Sequence, residues 1–112
     1  MRSLRAEKDR RREKAKERRR EIFGRILAAL EALQAAGVPG RLVLPLKDDQ
    51  PIHLLVDATA MPTQALAARL VRRSMGDAFH TIHFAGDLAP DALESIMGAS
   101  LPLEALRRHR PN

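Results

Sequence analysis

The chain is 112 residues long, 45% hydrophobic and 30% charged, with no Cys, Trp or Tyr, a length that fits one domain. Zero cysteines exclude a disulfide framework, a thiolate zinc finger and a Cys nucleophile, and no run approaches the roughly 18 uncharged apolar residues of a membrane span. The formal net charge is +6, and it is unevenly placed: residues 1–25 carry +7 and the remainder −1.

That first segment holds twelve basic residues, Arg2, Arg5, Lys8, Arg10, Arg11, Arg12, Lys14, Lys16, Arg18, Arg19, Arg20 and Arg25, against the acids Glu7, Asp9, Glu13, Glu17 and Glu21. Good helix formers fill residues 5–21, with neither Gly nor Pro, so a charged helix is expected there. Acid–base spacings of three (Glu7–Arg10, Asp9–Arg12, Glu13–Lys16, Glu17–Arg20) and four (Glu7–Arg11, Glu21–Arg25) each support a helix by about 0.2–0.5 kcal/mol. With five acids and no apolar core, the segment does not read as a signal or transit peptide, and a cytoplasmic setting is expected.

From Ile22 the pattern turns apolar. Phe23, Ile26, Leu30 and Leu33 recur at three- and four-residue steps, widened by Ile22, Leu27 and Ala29, until Gly37-Val38-Pro39-Gly40 stops the helix. One helix of about 30 residues thus has a charged outer half and an apolar inner half. This divides the chain into a basic helical arm, 1–21, and a small α/β domain, 22–112.

The domain reads as alternating strands and helices. Arg41–Leu46 is a strand whose internal Pro45 suits an edge position, and a polar turn leads to Ile52–Asp57, its expected antiparallel neighbour. Pro62 opens a helix over Thr63–Met75 that Gly76 closes. Its expected apolar face is Leu66, Ala67, Leu70, Val71 and Met75. Phe79–Ala85 is a third strand, joined by a strand–helix–strand connection that implies parallel pairing. Pro90 opens a further helix, with Asp91 and Glu94 near its positive end and Leu88 and Leu93 at staple spacing. Gly98 ends it, and Leu101–His109 completes the chain as a short helix.

The expected fold is therefore α/β (α+β), of order α-β-β-α-β-α-α: a long N-terminal basic helix followed by a small three-stranded mixed sheet with helices on one face. The other face is expected to carry some of Val43, His53, Leu55, Asp57, Thr81 and His83. Such an uncovered, partly apolar face points to a partner or to a homodimer, and an outer strand could pair with a second copy.

Charge asymmetry of this kind marks contact with nucleic acid, an acidic protein or an anionic membrane. Arg outnumbers Lys sixteen to four, and guanidinium suits bidentate contact with phosphate or carboxylate. The arm lacks the aromatics that stack single-stranded bases and the large apolar side chains that enter a bilayer, which favours a duplex backbone over either. It also lacks the Asn and Gln that read adenine, so phosphate contact is the expected mode. The candidate nucleic-acid-binding residues are Arg5, Lys8, Arg10, Arg11, Arg12, Lys14, Lys16, Arg18, Arg19, Arg20 and Arg25, with a second patch at Arg69, Arg72 and Arg73, which share one helical face. Arg107, Arg108 and Arg110 have a simpler role beside a helix C-terminus.

His53, Asp57 and His83 share a predicted sheet face and have the chemistry of a metal or acid–base cluster, whereas His80 and His83 fall on opposite faces. Surface histidines commonly serve neither role. Gly-rich phosphate loops, G-x-S-x-G and H-E-x-x-H are missing from the sequence. No enzymatic activity, cofactor or metal is expected. The expected function is a small DNA-binding accessory or regulatory protein, with duplex DNA favoured over RNA. The alternative is an interaction module, an adaptor or inhibitor, whose basic helix docks on an acidic protein or within a nucleoprotein complex.

Overall fold

The long helix forms over both its charged and its apolar halves. In a computed structural model describing residues 4–109, with side chains from Ala6 onward, α1 spans Leu4–Ala35; Arg2, Arg110 and the Arg5 side chain lie outside the described residues. Its 32 residues run about 48 Å at the α-helical rise, in a molecule 61 × 27 × 23 Å along its principal axes. α1 ends in a Schellman cap. The Gly37 N–H donates to the Gln34 carbonyl and the Val38 N–H to that of Leu33, with Gly37 at φ +77°. A side chain at such a left-handed position costs about 1–2 kcal/mol.

The remaining elements are β1 (Gly40–Val43), β2 (Ile52–Val56), α2 (Met61–Met75), β3 (His80–Phe84), a 3-10 turn (Ala85–Asp87), α3 (Pro90–Gly98), β4 (Ser100–Pro102) and α4 (Leu103–Arg108). The sheet has four strands in the order β3-β2-β1-β4. β1 is antiparallel to β2 (Leu42 opposite Leu54) and to β4 (Leu42 opposite Leu101), while β2 and β3 run parallel (Leu54 opposite Ile82). The fold is the expected mixed α+β class with one strand more than the sequence reading, and α3 lies on the sheet face expected to be uncovered, where Leu55 is 3% exposed.

That extra strand explains two local corrections. β1 was expected as an edge strand over Arg41–Leu46, but it stops at Val43, before Pro45, and lies inside the sheet between β2 and β4. Because Pro45 falls beyond the ladder, its missing N–H does not force an edge. The last helix was expected from Leu101, yet Ser100–Pro102 is extended and α4 begins at Leu103. Pro102 restricts its predecessor to extended backbone, which lets Leu101 pair with Leu42.

One face of the sheet carries the core. Leu42, Ile52, Leu54 and Val56 pack with Ile26, Leu30 and Leu33 of α1, Ala67, Val71 and Met75 of α2, and Leu103 and Leu106 of α4. Each fully buried aliphatic side chain stabilises the fold by about 1.5–3 kcal/mol. Gly40 is where β1 enters this layer, since a Cβ there would stand 2.9 Å from Leu30 Cδ2 and from Leu33 Cδ1. The buried line of α2 is Ala67–Val71–Met75; Leu66, expected on that face, is 36% exposed because it lies about 100° or more around the helix from each residue of that line. α3 buries no residue. Its Leu93 and Met97 instead border a cleft of about 380 Å³ with Arg41, Leu55 and Pro102, on the sheet side away from the core.

Candidate nucleic-acid interface

From residue 6 to Glu21, every side chain of α1 is exposed except the half-buried Ala15. Helical geometry sorts the charges along this stretch. Residues four apart lie nearly above one another, so Asp9, Glu13, Glu17 and Glu21 form one acidic stripe. Lys8, Arg11, Arg12, Arg18 and Arg19 gather within about 120° of arc on the opposite side, together with Ala15 and Ile22. Lys16 flanks this cationic face, while Arg10, Lys14 and Arg20 lie among the acids. The cationic face continues the line of Ile22, Ile26, Leu30 and Leu33 and so looks the same way as the packed half of the helix.

Few of these cations are engaged. Among the described residues, Lys8, Arg10, Arg11, Arg12, Lys14, Lys16, Arg18 and Arg20 make no ion pair, and none of the three- and four-residue spacings closes except Glu21–Arg25, at 2.7 Å. Arg19 meets Asp48 at 3.0 Å, with both side chains largely in water. Such an exposed pair contributes at most about 1 kcal/mol, so a polyanion can compete for Arg19.

Arg25 is committed elsewhere. Its Nη1 donates to the Met75 carbonyl at 2.9 Å and to Asp77 Oδ1, and its Nη2 donates to Glu21. These bonds hold the Asp77 carboxyl below the usual carboxylate range and push the Arg25 guanidinium further up, the hydrogen bond between them being the leading cause in both. Arg25 therefore fastens the root of the arm to the α2–β3 turn and leaves the set available to a phosphate.

Arg69, Arg72 and Arg73 are exposed, the last two in the final turn of α2. Helical spacing places all three on the side of α2 away from Ala67–Val71–Met75, and none borders the groove described next. They form a separate patch. Arg107 bridges Glu104 at 2.9 Å and Glu31 at 3.7 Å, which binds α4 to α1.

At the root of the arm lies an open groove of about 1240 Å³, bounded by α1, the β1–β2 loop and the α2–β3 turn. Arg18, Arg19 and Lys47 stand on its rim, and Ile22, Phe23 and Phe79 supply apolar surface. Phe79 is 77% exposed. Sequence reasoning singled out the cations of α1 but not this groove, because Lys47 and Phe79 reach it from loops remote in the chain.

The histidine cluster forms in part. His53 Nδ1 and His83 Nε2 lie 2.9 Å apart on the sheet face away from the core, with ring centroids at 5.2 Å and planes 14° apart. A hydrogen bond between imidazoles needs one N–H and one lone pair, so the pair requires a neutral ring. Burial, then the neighbouring His53, lowers the His83 pKa below its ordinary value. Asp57 lies past the end of β2 and is exposed, and no group of three potential metal ligands occurs among the described residues. His80 bonds separately, to the Ala78 carbonyl at 2.9 Å. No described helix is long and apolar enough to cross a membrane. Compared with protein-family models, curated proteins and solved structures, the chain matches none.

Proposed function

We propose that the protein binds duplex nucleic acid, DNA in preference to RNA, by laying the cationic face of α1 along the phosphate backbone. The observation that carries this reading is the segregation of Lys8, Arg11, Arg12, Arg18 and Arg19 on one side of an overhanging helix, where among the described residues Arg19 is the one that closes an ion pair. Over the axial reach of these residues, about 17 Å, a duplex presents roughly ten phosphates, so five contacts are sterically undemanding. Guanidinium groups on a stiff rod lose little freedom when they meet that array, and Asp9, Glu13, Glu17 and Glu21 face away from the polyanion, while Glu7 borders the cationic face beside Arg11.

Salt titration of fluorescence anisotropy on a labelled duplex tests the reading. Neutralising about five phosphates gives a slope of log K against log[salt] near −4.5. The double variant Arg11→Glu, Arg12→Glu is expected to bind at least tenfold more weakly and to lower the slope by about 2, with an unchanged melting temperature. A variant that retains both affinity and slope refutes the assignment. If the competing acidic-protein reading holds, polyglutamate displaces the duplex at matched charge and a partner is retained from nuclease-treated lysate.

A further inference from the structure

The groove at the root of the arm is continuous with the cationic face. Ala15, Arg18, Arg19 and Ile22 belong to both, so a strand following Lys8, Arg11 and Arg12 arrives at Arg18 with the groove directly ahead. Its lining sets Arg18, Arg19 and Lys47 against Asp48, Asp49 and Asp77. Asp48 pairs with Arg19 and Asp77 with Arg25, Arg18 adds a longer-range attraction to Asp77, and Lys47 and Asp49 make no ion pair among the described residues. Among the three phenylalanines, Phe23 and Phe84 are half-buried against the core and only Phe79 stands mostly in water. A ring held in solvent beside exposed cations, of which Arg19 is held only by a solvent-exposed pair, is the combination that single-stranded nucleic acids use, bases stacking on the aromatic while phosphates meet the charges.

We propose that this groove takes an unstacked nucleobase against the Phe79 ring, from a single-stranded extension of the duplex held by α1, with the flanking phosphates on Arg18, Arg19 and Lys47. The inference rests on the duplex-binding reading and deepens it, because it makes the protein a reader of duplex ends or junctions. The volume of about 1240 Å³ exceeds that of pockets for a single small ligand and accommodates a base together with its adjoining phosphates. Any base offers a π-face, so the groove is expected to tolerate all four.

Full-length protein is titrated at fixed salt into two labelled duplexes of equal length. One is blunt, and the other carries a short single-stranded extension containing 2-aminopurine. The wild type is expected to bind the extended duplex roughly tenfold more tightly, the size of one base–aromatic stack, and to quench the 2-aminopurine. Phe79→Ala is expected to bind both duplexes with blunt-duplex affinity and no quenching. Because Phe79 is 77% exposed, its melting temperature is expected to stay unchanged, and Phe79→Trp is expected to keep both preference and quenching. A wild type that binds both duplexes equally, or a Phe79→Ala variant that keeps the preference, overturns the groove assignment and leaves the arm reading standing. Binding to neither duplex overturns both.

Discussion

The two halves of α1 present the same face in the same direction and differ only in what meets it. On the inner half that face is Ile26, Leu30 and Leu33, packed against Leu42, Leu54 and Val71. On the outer half it is Lys8, Arg11, Arg12, Arg18 and Arg19, where among the described residues Arg19 pairs with Asp48 and Arg18 attracts Asp77 at longer range. Extending an existing helix fixes one residue per added hydrogen bond, whereas starting one fixes several for the first. The packed half therefore serves as the nucleus that the charged half extends, and the arm keeps its direction without a partner of its own. The difference teaches that order and burial are separable here, since the arm takes its shape from the body and leaves its charge unspent.

Substitution on the common face is the strongest way to break this comparison. Leu30→Ala is expected to destabilise the protein by about 2–5 kcal/mol, the transfer and cavity cost of a fully buried leucine, read by chemical denaturation. Arg11→Ala, on the same face of the outer half, is expected to change stability by less than about 0.5 kcal/mol. Similar losses at both sites would show that the arm is packed, contrary to its exposure.

The boundary between helix and sheet sharpens the contrast next. Gly37→Ala forces a side chain into the φ +77° conformation and is expected to cost about 1–2 kcal/mol, while Gly24→Ala, with nothing near its Cβ in mid-helix, is expected to stabilise by about 0.5–1 kcal/mol. Thermal melts of the two variants should shift in opposite directions.

The smallest effect is on pH. A His83 pKa lowered in the folded state means that the unfolded chain binds more protons as pH falls below about 6.5. The pair therefore contributes its stability above that value and loses it as pH falls through the folded pKa. The melting temperature is expected to decline on acidification from pH 7.5 to 5.5, and His83→Gln should flatten that decline.

Much of the fold could be read from local chemistry. Gly37, Pro62, Gly76 and Pro90 punctuate helices where turn geometry needs them, and the three- and four-residue steps from Phe23 to Leu33 identify the buried stripe. β4 escaped because three residues give no periodicity, and its only trace was the extended backbone that Pro102 imposes on Leu101. The interior position of β1 followed from that omission. At the site, the cations of α1 stand out by composition, and their division into faces follows from spacing alone. The fate of Arg25 does not, because Asp77 reaches it from 52 residues away. The groove was hidden for the same reason, since it exists only once Lys47 and Phe79 are brought to Arg18 by the tertiary fold.

The stripe of Asp9, Glu13, Glu17 and Glu21 gives α1 a back as well as a front. A rod cationic all round would glue polyanions together, recruiting a second molecule onto whatever surface the first left uncovered. Here the far side interleaves those four carboxylates with Arg10, Lys14 and Arg20, close to charge balance, so a second molecule approaching from behind meets far less attraction than one at the front. On the proposed duplex-binding reading, that asymmetry favours one polyanion per copy of the chain over the condensation of many.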